Sequence, residues 1–287
     1  MAILIDFRRR IRSVRNTQQI TKAMKSVSAA KFKKGQRAVI EGRPQWHQSP
    51  EMLAQILRWT GTGIHPLFYV RDEKKIHVIV ITSDKGLCGA FNSNLLTKTM
   101  AFVQEKAERC KVSLVLIGKK AVNFFKKRPY RLDSAFSEHV DKLEIRELRS
   151  IARRLMQLFV FQETDAVYVA YNEFKSILAP RITIAKLLPV AADESPDRAG
   201  VAPPDWEPAA ATLVDTLVPQ YIENQLCHYF FESQAAEQAA RMMAMENASK
   251  NAEELIKDLI LILNKIRQAG ITKELLEIMT AVEALKT

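Results

Sequence analysis

The stretch best placed for chemistry is Ser83-Asp84-Lys85-Gly86-Leu87-Cys88-Gly89-Ala90. It follows a β-rich run and opens a helical one, a position where backbone N–H groups often collect phosphate. Its spacing does not fit that role. It is not GxGxxG, and the pattern GxxxxGK[ST] occurs nowhere in the chain. It reads as a tight strand-to-helix turn. Cys88 at the helix start would be more acidic than a free thiol, but no base accompanies it. The histidines His47, His65, His77, His139 and His228 are scattered, with no HExxH and no pairing with cysteine at metal spacing. Cys88, Cys110 and Cys227 form no CxxC, which fits a reducing, intracellular compartment. No catalytic residue, cofactor or metal is expected, so the chain should be a mechanical part and not a catalyst.

The elements that would hold this loop alternate. Ile76–Thr82 reads as a strand and is followed by a helix over about 92–108. Val112–Ile117 is a second strand, closed by Gly118 and followed by a short helix, and Leu143–Phe161 is a further helix. Asp165–Tyr171 and Ile182–Val190 complete the strands. This alternation predicts a Rossmann-like α/β domain over 75–190. Residues 191–208, rich in proline and acid, read as a linker.

Both ends of the chain read as helix, over 1–60 and 209–287. In the first, Ile11 and Val14, then Ile20, Met24 and Val27, recur at three to four residues, with a slip of phase across Thr17-Gln18-Gln19. Gly42 and Pro44 should kink or interrupt it, and Ser49-Pro50 looks like a restart. In the second, Met245, Ala248, Ala252, Leu255, Leu259, Ile262, Ile266 and Ala269 step by three and four, the a/d seam of a left-handed coiled coil. Upstream, Ala235, Ala236, Ala239, Ala240 and Ala244 would let a partner helix approach closely. Fully helical, this segment would be about 115 Å long at 1.5 Å per residue, too long for an unpartnered helix. The expected architecture is a long antiparallel coiled coil of the two ends around the α/β domain.

Charge supports that pairing. Residues 1–45 hold 12 basic side chains against two acidic ones, whereas residues 232–287 hold seven basic and nine acidic. A basic arm implies an acidic partner: nucleic acid, anionic lipid or an acidic protein surface. The basic run has no interleaved aromatics, which disfavours nucleic acid. No apolar run reaches membrane-spanning length, and MAILIDFRRR lacks the apolar core of a secretory signal.

Three stretches together resemble the gamma subunit of F-type ATP synthase. The first is Arg8-Arg9-Arg10-Ile11 with Ser13-Val14-Arg15-Asn16-Thr17-Gln18-Gln19-Ile20-Thr21-Lys22-Ala23-Met24-Lys25, and the second is Thr82-Ser83-Asp84-Lys85-Gly86-Leu87-Cys88-Gly89-Ala90-Phe91-Asn92. The third runs from Glu237-Gln238-Ala239-Ala240-Arg241-Met242-Met243 to Asn264-Lys265-Ile266-Arg267-Gln268-Ala269-Gly270-Ile271-Thr272. The resemblance implies a rotor shaft whose ends turn inside a ring of alternating alpha and beta subunits. It implies that the α/β domain lies outside that ring, against the epsilon subunit and the c-ring. Catalysis would belong to the beta subunits. Met24, Arg267, Gln268 and Thr272 would face them, and the complex would sit on the cytoplasmic side of a bacterial inner membrane. Lys25-Ser26-Val27-Ser28 is more polar than the family's usual stretch, and the cysteine-bearing insertion of plant thylakoid relatives is missing.

Overall fold

The computed structural model describes residues 2–60, 65–137, 143–174, 181–191 and 210–284. The expected linker lies almost wholly outside the described residues, as does His139. The elements are α1 (Ala2–Thr60), β1 (Lys75–Ile81), α2 (Phe91–Ala107), β2 (Lys111–Ile117), α3 (Lys119–Phe125), β3 (Arg131–Phe136), α4 (Ile145–Val160), β4 (Ala166–Glu173), β5 (Arg181–Leu188) and α5 (Ala210–Ala284). Two compact units result: Ala30–Ala240, and the segments Met1–Ala29 with Arg241–Thr287. The helices α1 and α5 contribute to both.

In the larger unit the strands form one sheet of order β3-β2-β1-β4-β5. The pairs β1–β2, β1–β4 and β2–β3 are parallel, and β4–β5 is antiparallel. Strand β1 is buried on both faces, as a central parallel strand must be. Ile76, Val78 and Val80 pack with Leu96, Val103, Ala121 and Phe125 of α2 and α3. Ile79 and Ile81 face the other way, toward Leu148, Ile151, Leu155 and Phe159 of α4 and Val214, Val218, Ile222 and Phe230 of α5.

Strand β3 is not among the expected strands. Its residues, RLDSAF, are half polar and mostly outside the core because it is the sheet edge. A register shift pairs Leu114 with Leu132 and Val115 with Ser134, leaving Asp133 as the extra residue of a bulge. An edge strand broken in this way carries no clean period of two.

Of the kink or interruption expected at Gly42 and Pro44, the interruption is absent. The helix runs through Gly42, Pro44 and Ser49-Pro50 to Thr60. Pro44 removes one helix hydrogen bond, but tertiary packing outweighs that loss. The Trp46 ring lies against Gly42, where a Cβ would collide with it. Trp46 is itself buried, with its ring centroid 4.3 Å from that of His228 on α5. Gly42 is there to admit the indole. Likewise α5 continues through Pro219.

In the smaller unit α1 and α5 pair antiparallel. The α1 residues turned inward are Leu4, Phe7, Ile11, Val14, Gln18, Thr21, Lys25 and Ser28, an unbroken alternation of three and four. The expected phase slip is therefore absent. Ile20 and Val27, which suggested it, are 60% and 58% exposed. The seam keeps its phase by passing through polar side chains.

On α5 the inward line is Met245, Ser249, Ala252, Ile256, Leu259, Leu263 and Ile266. Of the expected seam, Met245, Ala252 and Leu259 are buried, Ile266 is half-buried, and Ala248 is half-buried beside the line. Leu255 and Ile262 are 40% and 42% exposed, and Ala269 is exposed as well. Alternate positions of the heptad fall one residue later, on Ser249, Ile256 and Leu263. Counting apolar residues selects Ala248 over Ser249 for that row.

Candidate functional site

With no catalytic constellation in the sequence, the candidate site is mechanical: the seam, and the junction of α1 and α5 with the sheet. The seam is registered by a buried hydrogen bond of 2.7 Å between the Thr21 and Ser249 hydroxyls. Polar pairs at such positions favour one register over its neighbours at some cost in stability. The bond places Ile11 opposite Leu259 and Val14 opposite Ile256. Beside it Lys25 pairs with Glu246, whose carboxyl is held below its usual range by the Lys25 hydrogen bond, with Lys250 3.7 Å away. The same register sets Leu4 opposite Ile266, both half-buried. Every described side chain from Arg267 to Ala281 is exposed, including Ile271, Leu275, Leu276, Ile278 and Met279.

The residues expected to contact partners do not form one cluster. Met24 is half-buried, whereas Arg267, Gln268 and Thr272 are exposed near the end of the pairing. Thr272 donates its hydroxyl to the Gln268 carbonyl at 3.0 Å. Met24 lies opposite the neighbourhood of Glu246, about 30 Å from Gln268 along the helix axis.

In the larger unit, Thr82, Ser83 and Asn92 of the stretch after β1 are buried, whereas Lys85 is exposed. The Ser83 N–H donates to Asn92 Oδ1 at 3.1 Å, and Asn92 Nδ2 donates to Ser83 Oγ at 2.8 Å and to Cys88 Sγ at 3.1 Å. The Lys119 N–H donates to Asp84 Oδ1 at 2.9 Å, and the Ala121 N–H to Thr82 Oγ1 at 3.0 Å. Gly118, at φ +103°, brings its Cα so close to Thr82 that a Cβ would strike the Thr82 carbonyl. The stretch Thr82–Asn92 ties the end of β1 to the start of α3. These hydrogen bonds serve the fold, and Cys88 is buried.

The other thiols are no better poised: burial pushes Cys110 up, and Cys227 up to about 11. Burial lowers the pKa of His77 and of His65. Among the described residues no group of three His, Cys, Asp or Glu could hold a metal.

Three acidic residues that sequence reasoning missed organise this unit. Glu223 on α5, buried, accepts from Arg153 of α4 at 2.6 Å and lies 3.5 Å from Arg149. Glu232 on α5, also buried, accepts the Phe174 N–H at 2.8 Å, just past the end of β4. Glu73 accepts from Lys106 at 2.6 Å, Tyr168 at 2.6 Å and Lys186 at 2.9 Å. Burial opposes ionisation of Glu73, but these three donors together outweigh it and hold its carboxyl at about 2. The signal available for the α5 pair was faint: Glu223 shares a helical face with Leu226 and Phe230, where an acid must be paired to be tolerated.

A family model described as ATP synthase matches residues 4–285. The chain is 40% identical over 291 residues to the ATP synthase gamma chain of Chlorobaculum parvum, and 42% identical over 298 residues to that of Desulforudis audaxviator, covering 100% of each chain in both cases. Among solved structures, it resembles a chain of the Euglena gracilis mitochondrial ATP synthase (OSCP/F1/c-ring, rotational state 3) with TM-score 0.67 and 22% identity, over 99% of this chain and 95% of that one. It resembles a chain of the Tetrahymena thermophila mitochondrial ATP synthase central stalk/c-ring with TM-score 0.59 and 24% identity, over 80% of this chain and 99% of that one. These two likenesses speak for the fold, and the full-length relatives carry the assignment: the chain belongs to the ATP synthase gamma chain family.

Proposed function

We propose that this chain is the rotor shaft of a bacterial F-type ATP synthase, coupling rotation of the c-ring to ATP synthesis or hydrolysis on the beta subunits. The observation that carries the reading is the paired seam of α1 and α5, which ends in an exposed, apolar helical tail. A paired stem resists bending and twisting, and a bare apolar tail needs a bearing. The alpha and beta subunits form that bearing, and the epsilon subunit and c-ring bind the α/β domain. The chain itself is not catalytic. It holds to the membrane through the complex, on the cytoplasmic face of the inner membrane, and among the described residues no helix is long and apolar enough to cross one.

Arg267, Gln268 and Thr272 are the directional contacts of the tail, and Met24 is a contact lower on the stem. Arginine offers a forked, permanently charged donor, and glutamine both donates and accepts. A tagged chain expressed in its own host should bring down alpha, beta, epsilon and c subunits. Its capture without them would overturn the reading. In the assembled complex, Arg267→Ala with Gln268→Ala should leave assembly intact and lower both ATP synthesis and coupled hydrolysis. Wild-type rates in a complex shown to contain the double variant would remove these two residues from the contact.

A further inference from the structure

A doubly wound sheet has one place where ligands settle: the crevice at the carboxyl ends of the strands, where the strand order reverses. In the order β3-β2-β1-β4-β5 the reversal lies between β1 and β4. The groups at that place are Cys88 and Phe91, after β1, and Phe174, after β4. They are not open to a ligand. They are packed with Phe32 and Val39 of α1 and Ala235, Ala236 and Ala239 of α5 in one buried cluster. The two long helices stand where a nucleotide would.

The end of β4 is held by both helices. The Phe174 ring meets Phe32 of α1 edge to face, with centroids 5.3 Å apart. The Phe174 N–H donates to the Glu232 carboxylate of α5, which is 4% exposed. Three residues earlier, Tyr171 stacks on Tyr229 of α5 at 4.5 Å. The small residues Gly35 and Ala235 let α1 and α5 close up at this level, with Ala235 3.6 Å from where a Gly35 Cβ would stand. A buried hydrogen bond from a backbone N–H to a carboxylate is directional and stronger than a neutral one. It fixes the strand end against the helix, where apolar packing alone would permit sliding.

We infer that Glu232 is a positioning residue for torque transfer: its bond to Phe174 latches the α/β domain onto the two helices in the sheet's own ligand crevice. This rests on the rotor reading and adds the point at which load passes from sheet to stem. In a complex with the latch removed, the α/β domain can turn elastically before the stem follows. ATP synthesis driven by a limiting proton gradient suffers first, and unloaded hydrolysis suffers least.

The test compares Glu232→Leu, which removes the acceptor, with Glu232→Gln, which keeps one. In the purified chain, hydrogen exchange at the Phe174 amide should speed up at least tenfold in Glu232→Leu and far less in Glu232→Gln. In assembled complexes in vesicles, Glu232→Leu should hydrolyse ATP within about twofold of wild type. Its synthesis at limiting gradient should fall at least fivefold, and Glu232→Gln should restore most of it. Lost amide protection with an unchanged ratio of synthesis to hydrolysis would make the bond purely structural and overturn the inference. Unchanged protection would overturn it too. If Glu232→Leu does not assemble, Glu232→Ala, which removes the same acceptor without adding an apolar side chain, gives the same comparison. Failure of the wild-type chain to support any coupled synthesis would instead sink the rotor reading.

Discussion

Leu259 and Leu255 are the same side chain one helical turn apart, and they should respond oppositely to charge. Leu259 is 4% exposed and opposite Ile11, whereas Leu255 is 40% exposed. Leu259→Asp should destabilise the pairing by about 3 kcal/mol or more, because a carboxylate there is buried without a partner or must take up a proton. Leu255→Asp should cost about 0.5 kcal/mol or less. Thermal melting followed by helical circular dichroism separates the two, and equal losses would return the seam to the row through Leu255. Glu73 gives a prediction in pH. Its folded carboxyl titrates at about 2, below the 4.5 of a free glutamate, so its contribution is complete above about pH 4.5 and lost as pH falls toward 2. Stability of the wild-type chain should fall through that window, and Glu73→Gln should flatten the fall while lowering stability at neutral pH. Parallel acid curves for the two proteins would show that the three donors do not act through this carboxylate.

At the scale of the element, the seam shows what was legible in the sequence and what was not. The two long helices and the alternating centre followed from spacing, since period and length are strong signals in 75- and 59-residue helices. The phase of the seam did not follow, because hydrophobicity marks a buried face only when that face is apolar. Here Gln18, Thr21, Ser28 and Ser249 turn inward while Ile20 and Val27 turn outward. The sequence thus holds a second apolar pattern, on an exposed face of the helix. Strand β3 was hidden by its bulge, and the unbroken course of α1 past Gly42 by the packing of Trp46 on His228, far along the chain. The junction acids were hidden for a related reason: an acid on an apolar face acquires meaning only when its partner is known. The Thr21–Ser249 bond can be weighed by a double-mutant cycle. Thr21→Val alone should cost about 1–2 kcal/mol by leaving a buried hydroxyl without its partner, and adding Ser249→Ala should recover much of that loss. Additive effects would mean that the two hydroxyls do not act as a pair.

For the molecule as a whole, a sheet that elsewhere cradles cofactors has its crevice filled by its own chain. The isolated protein should bind no nucleotide with micromolar affinity, and equilibrium dialysis with ATP would reveal any site that the packing of Phe32, Phe91 and Phe174 leaves open. The exposed tail has a different consequence, one for the life of the protein before it is ever assembled. From Arg267 to Ala281 each described side chain is exposed, five large apolar residues among them. A helix end with nothing against its apolar face is marginal by itself, and binding partners stabilise it by mass action. A newly made copy without its partners is therefore sticky and open to cutting at this end. Trypsin should cleave the free chain first at Lys265, Arg267 or Lys273, and the assembled complex should resist at the same bonds. Surplus copies would be destroyed from the tail inward, so that the cell's supply of this subunit is held to the number of rings ready to receive it.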